Sequence, residues 1–186
     1  MVYRFLILSD EVANFKREIQ ISSEATFLDL HHAILDAAAY SHNEISSFFI
    51  CDDDWSKRAE ITLVDMGASS DADIYMMEAT TLEELLTDEQ QRLLYVFDYM
   101  TERAFFMELS EIITGKTLDK PVCSLSIGQP PVQTLSFEEI DKRVEHLDLG
   151  DDFYGDSDYN EDELDLLDSG DYDHESIDSI LDDERF

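Results

Sequence analysis

Basic residues are scarce in this chain: twelve Lys and Arg stand against 45 Asp and Glu over 186 residues, a formal net charge of −33. Nucleic-acid binders draw most of their affinity from Lys and Arg on phosphates, so this balance excludes direct DNA or RNA binding and repels anionic membrane surfaces. The natural counterpart is a basic protein surface or a divalent cation. Only two cysteines occur, Cys51 and Cys123, too few for a disulfide framework at this length. With six glycines the chain carries no Gly-x-Ser-x-Gly elbow, no phosphate-binding glycine loop and no dinucleotide fingerprint. No apolar run approaches the ~20 residues of a membrane helix. The opening "MVYRFLILSD" holds an Arg within its short apolar run and closes on Asp10, which does not fit a signal peptide. These absences together predict a soluble protein in a reducing, cytoplasmic setting.

What is present divides unevenly. Residues 148–186 hold 17 Asp and Glu against one Arg, while residues 1–147 carry the remaining net charge of −17 over nearly four times the length. The expected organisation is therefore a folded domain at 1–147, long enough for an ordinary core, followed by an acidic and largely disordered tail at 148–186.

Within the body, "VYRFLILSD" and "FKREIQIS" alternate apolar and polar residues as half-buried strands do, and "EVAN" between them makes a hairpin turn. "TFLDLHHAILDAAAYSH" is a helix: Thr26 and Asp29 form a capping box, and Phe27, Leu30, Ile34, Ala37 and Ala38 mark one face. "ISSFFICDD" and "AEITLVDM" are strands with Trp55 in the loop between them, and "GASSDAD" is a turn or loop. Thr81 with Glu84 opens a short helix at "TTLEELL". "RLLYVFDY" and "RAFFMELSEII" make a second hairpin across Met100, Thr101 and Glu102. "PVCSLSIGQPP" starts extended and breaks at its paired prolines; Ser136 with Glu139 then caps a last helix in "SFEEIDKRVEHL". This succession predicts an α+β fold with a mostly antiparallel sheet, hairpins and two or three helices, and a β-grasp-like start from the β-β-α-β order.

Two stretches carry a family resemblance. In "FKREIQISSEATFLDLHHAILDAAAYSHNEISSFFI", Lys16 and Arg17 precede Ile19; Thr26, Leu30, His31 and Ile34 lie in the helix, followed by Tyr40, Ile45 and Phe48. In "YVFDYMTERAFFMEL" the matching residues are Tyr95, Phe97, Asp98 and Tyr99. On these residues the chain resembles the plasmid Ri ORF-three-like proteins, also called the insertion-element passenger TnpR family, over residues 3 to 145. It departs from the pattern where Met100, Thr101, Arg103 and Phe105 replace Gly, Asp, Trp and His, which removes residues a shared site would use. The resemblance implies a compact α+β fold. It implies no settled activity, and the tail lies outside it.

Catalytic readings find little purchase. His31 and His32 are neighbours on a helix, about 100° apart, so they do not converge on one ion. The pair His32 and Asp36 has i, i+4 spacing but falls short of a zinc ligand set. From Asp156, "DSDYNEDELDLL" places oxygens at positions 1, 3 and 5 of a calcium loop, yet Glu161 occupies the glycine position and Leu167 the bidentate one, so no EF-hand forms. Cys51 in "FFICDD" reads as a buried structural thiol. No cofactor is expected.

The tail is acidic but not featureless. Ile177, Ile180 and Leu181 recur at i, i+3 and i+4, and Phe186 follows; a segment this short would fold only on contact. The expected function is a non-enzymatic interaction protein whose tail docks a basic partner. Ile177, Ile180, Leu181 and Phe186 would anchor it while Asp178, Asp182 and Asp183 steer it. The alternatives are a small enzyme or ligand-binding domain with a cleft near Trp55 and Asp52–Asp54, and an acidic mimic of nucleic acid.

Overall fold

The computed structural model describes residues 1–64 and 74–146, with the side chains of the last helix described to residue 141. Residues 1–144 form one compact unit; the second, 145–186, is described only at the end of that helix. The "GASSDAD" loop and the 148–186 tail lie outside the described residues.

Eight strands form a single sheet in the order β5-β4-β3-β6-β7-β1-β2-β8. The strands are β1 Val2–Leu8, β2 Lys16–Ser22, β3 Ser47–Cys51, β4 Lys57–Thr62, β5 Ile74–Met76, β6 Arg92–Asp98, β7 Arg103–Ile113 and β8 Val122–Ile127. Every adjacent pair is antiparallel except β4 with β5. Three helices accompany them: α1 Phe27–Ala38, α2 Leu82–Leu85 and α3 Phe137–His146. The mostly antiparallel α+β fold, both hairpins and all three helices are thus as the sequence predicts. The short β5 is additional. The β-grasp-like start is met only as an order of elements, because β6 and β7 stand between β3 and β1.

One face of the sheet carries the core. Tyr3, Phe5 and Ile7 of β1, Ile19 and Ile21 of β2, Phe48 of β3, Leu93, Tyr95 and Phe97 of β6, and Phe105, Met107 and Leu109 of β7 are all buried. Strand alternation sends them to the same side. Against them α1 lays Phe27, Leu30, His31, Ile34 and Leu35. Phe105 lies among rings, stacked on Phe15 at 4.9 Å and tilted against Phe97 at 4.6 Å.

Local chemistry fixes the ends of α1. Thr26 and Asp29 exchange the reciprocal hydrogen bonds of a capping box. The helix stops at Ala39, which takes a left-handed φ of 54°. Arg17 then meets the helix end: its guanidinium donates to the carbonyl of Ala37 at 2.9 Å, and to those of Ile127 at 2.6 Å and Gly128 at 3.0 Å. One side chain therefore caps α1 and pins the end of β8. A cation suits a helix C-terminus because the dipole places negative charge there.

Candidate functional site

The opposite face of the sheet has a different character. Strand register places Leu8, Phe106, Leu94 and Phe49 directly beside one another on β1, β7, β6 and β3. Adjacent strands lie ~4.8 Å apart, so the row runs roughly 15 Å across the sheet. Leu8 is 41 % exposed and the other three are half-buried. The helices α1 and α2 pack on the core face, through contacts such as Phe27 with Phe48 and the Tyr3 hydroxyl donating to the Leu86 carbonyl at 2.6 Å. Both helices thus lie on the face opposite the row.

Trp55 borders it. The residue takes a left-handed φ of 68° in the β3–β4 loop and sets its indole edge-on to Phe106, with centroids 4.8 Å apart. Two cations lie on rings here: Arg92 over Trp55 at 5.3 Å and Lys57 over Phe49 at 4.2 Å. Next to the row, the face sinks into a cavity of about 290 Å³. Its floor is Leu94, Val96, Ala104 and Phe106, and Asp10 and Glu102 stand exposed among its lining residues.

Arg103 closes one side of that cavity and is itself 5 % exposed. Its guanidinium donates to both carboxylate oxygens of Glu11, at 2.6 and 3.1 Å, and to the carbonyl of Val132 at 2.5 Å. Asp98 lies 3.5 Å away. A planar guanidinium is suited to this bidentate grip. Where the sequence suggests a lost site residue, the structure shows a clamp joining the β1–β2 loop, the β6–β7 turn and the 130–133 segment.

A cleft lies at the Asp52–Asp54 loop, with Trp55 outside its lining. It measures about 530 Å³, is broad and open, and is lined by Cys51, Asp52, Asp53 and Asp54 with Glu89 to Arg92. Two of its carboxylates serve their own loop. Asp52 pairs with Arg58 at 2.5 Å, and Asp54 accepts the Ser56 amide at 3.1 Å, a bond that holds its carboxyl below the usual range. The Cys51 thiol is buried, and burial pushes its pKa up, which favours the inert thiol over the nucleophilic thiolate.

His31 is not a ligand candidate either. Its Nδ1 lies 2.8 Å from the Tyr95 hydroxyl and 3.2 Å from that of Ser46, inside the core. Burial, then the neighbouring His32 and His42, lower its pKa to about 4. A neutral ring accepting from Tyr95 satisfies that geometry. The His32 and Asp36 spacing is not used as a pair: Asp36 faces Nε2 of His42 at 3.2 Å. Among the described residues no group of three or more His, Cys, Asp or Glu is placed to hold a metal ion. Nor is any described helix long and apolar enough to cross a membrane.

The tail residues Ile177, Ile180, Leu181, Phe186, Asp178, Asp182 and Asp183 lie outside the described residues. Sequence reasoning missed the apolar row. Its signal was "RLLYVFD", a strand apolar on both of its faces, which marks a second face with little polar cover.

The fold and site define a class first: a one-sheet α+β protein with α1 and α2 on one face and an apolar row on the other. The chain belongs to the plasmid pRiA4b ORF-3-like protein family, whose pattern matches residues 2–179. This match runs well past residue 145, so most of the acidic tail falls within the family pattern rather than outside it. A crystal structure of a protein of unknown function, MM3350 from Methanosarcina mazei, has a similar fold, with a TM-score of 0.57 at 18 % identity over 91 % of each chain. No curated protein matches. Arg17, His31, Tyr40, Tyr95 and Asp98, on which the resemblance rests, all make hydrogen bonds within the fold. Tyr40, for example, donates to the Pro131 carbonyl at 2.6 Å, and Asp98 accepts from the Thr101 hydroxyl at 2.6 Å.

Proposed function

We propose that the protein is a non-enzymatic interaction module of the cytoplasm that docks a basic partner. The apolar row on the sheet supports this reading most, because four adjacent strands hold large apolar side chains on the face opposite α1 and α2. Burying such a row contributes ~25 cal/mol per Å² on association. The formal charge of −33 selects the sign of the partner, by steering cations towards the chain and turning anions away. In the 148–186 segment, acidic composition favours a chain without fixed structure that folds on contact, with Ile177, Ile180, Leu181 and Phe186 as anchors and Asp178, Asp182 and Asp183 steering.

Amide NMR of labelled protein in cell extract depleted of nucleic acid tests the tail. Selective broadening of signals from Ile177 to Phe186 is expected, and it should vanish when the four anchors are changed to Ser. Signals that stay sharp in extract would remove the tail from the docking mechanism.

The cleft beside Trp55 supports a second reading, a small-ligand site in its ~530 Å³. Its openness and the loop-directed bonds of Asp52 and Asp54 make it the weaker of the two.

A further inference from the structure

We infer that the apolar row and its adjoining cavity are the docking site on the folded body, and that the occupant is an extended segment of a partner protein alternating basic and apolar residues. This rests on the interaction reading and gives it a place and a ligand chemistry. Leu8, Phe106, Leu94 and Phe49 form a strip as wide as four strands, matching an extended segment laid across them. Side chains of such a segment alternate between two faces, so every second residue meets the strip.

Charge decides what the other residues are. The body alone carries −17, so an approaching acidic segment is repelled at long range and a basic one is drawn in. The cavity then gives a cation a specific seat. A Lys or Arg stem would lie along Leu94, Val96, Ala104 and Phe106, with its charged head at the exposed carboxylates of Asp10 and Glu102. Two of the chain's own cations, Lys57 and Arg103, also line the cavity. Arg103 is held by Glu11, and Lys57 and Arg92 lie over the rings of Phe49 and Trp55.

Trp55 reports on the site directly, since it is the chain's single tryptophan and its indole touches Phe106. The experiment titrates the full chain with a synthetic peptide of alternating Lys and Leu at physiological salt, reading Trp55 emission and peptide anisotropy. Saturable binding with a blue shift of Trp55 emission is expected. Leu8→Asp and Leu94→Asp then separate the two forces, because each adds a negative charge while spoiling the row. Docking on the row predicts binding weakened about tenfold or more in both, as for a central contact residue. Attraction by charge alone predicts binding unchanged or tightened, and that result overturns the inference. Leu8 is exposed, so Leu8→Asp keeps the test valid if Leu94→Asp fails to fold.

A chain with Ile177, Ile180, Leu181 and Phe186 all changed to Ser completes the design. Unchanged peptide binding supports the row. Binding that is lost in this chain and retained in Leu8→Asp overturns the row as the site while leaving the interaction reading intact. Absence of any binding to the unaltered chain overturns both.

Discussion

At the scale of single residues, the buried polar groups hold this protein together. His31 is a neutral imidazole inside an aromatic core, with its pKa lowered to about 4 from an ordinary 6.5. The unfolded chain therefore takes up the proton first as pH falls. Stability from this group is fully present above pH 6.5 and is lost progressively between about 6.5 and 4, a loss on the order of 3 kcal/mol. Urea midpoints at pH 7 and pH 4.5 check this: the drop should be clearly smaller in His31→Gln, whose side chain does not titrate. Arg103 makes the opposite kind of contribution, a charge kept inside by the charges around it. Arg103→Ala leaves Glu11 and Asp98 facing a vacated site, and a loss of roughly 3–5 kcal/mol in chemical denaturation is expected. Neither contact was legible in the sequence. Glu11 and Arg103 are 92 positions apart, and only the pairing of β1 with β7 brings their loops together.

At the scale of elements, much was legible because local chemistry was explicit. Alternation marks β1 and β2, runs of aromatic and aliphatic residues mark β6 and β7, and three Ser or Thr residues each followed three positions later by an acid mark the starts of α1, α2 and α3. The short β5 was not, because three residues beside a polar loop carry no periodicity. Strand order was not legible either, since it depends on long-range pairing rather than on any segment's own pattern. The end of β8 offers a sharp test. Gly128 has a φ of 69°, and a Cβ there would lie 2.3 Å from the Asn14 carbonyl oxygen. Gly115 has a φ of 73° with nothing within 4 Å. Both Gly→Ala changes incur backbone strain of about 1 kcal/mol or more, and Gly128→Ala adds a collision with backbone. Thermal melts should therefore show the larger loss for Gly128→Ala.

Over the whole molecule the governing quantity is charge. A chain at −33 repels itself when compact, and salt screens that repulsion over a Debye length of about 10 Å at 0.1 M. Raising NaCl from about 0.02 M to about 0.5 M should thus raise the melting temperature while weakening any association with a basic partner. The sequence made the acidity and the tail's spaced Ile, Leu and Phe residues plain. It did not reveal the apolar row, because Leu94 and Phe106 look like core residues until the register assigns them to the face opposite α1 and α2.

The most direct measurement is an amide and indole NMR titration of the labelled full chain with the alternating Lys and Leu peptide. Docking on the sheet predicts the largest shifts at Leu8, Phe49, Leu94, Phe106 and the Trp55 indole, with α1 and His31 unmoved. Shifts confined to the α1 side of the sheet, or spread evenly over every acidic stretch, would contradict it.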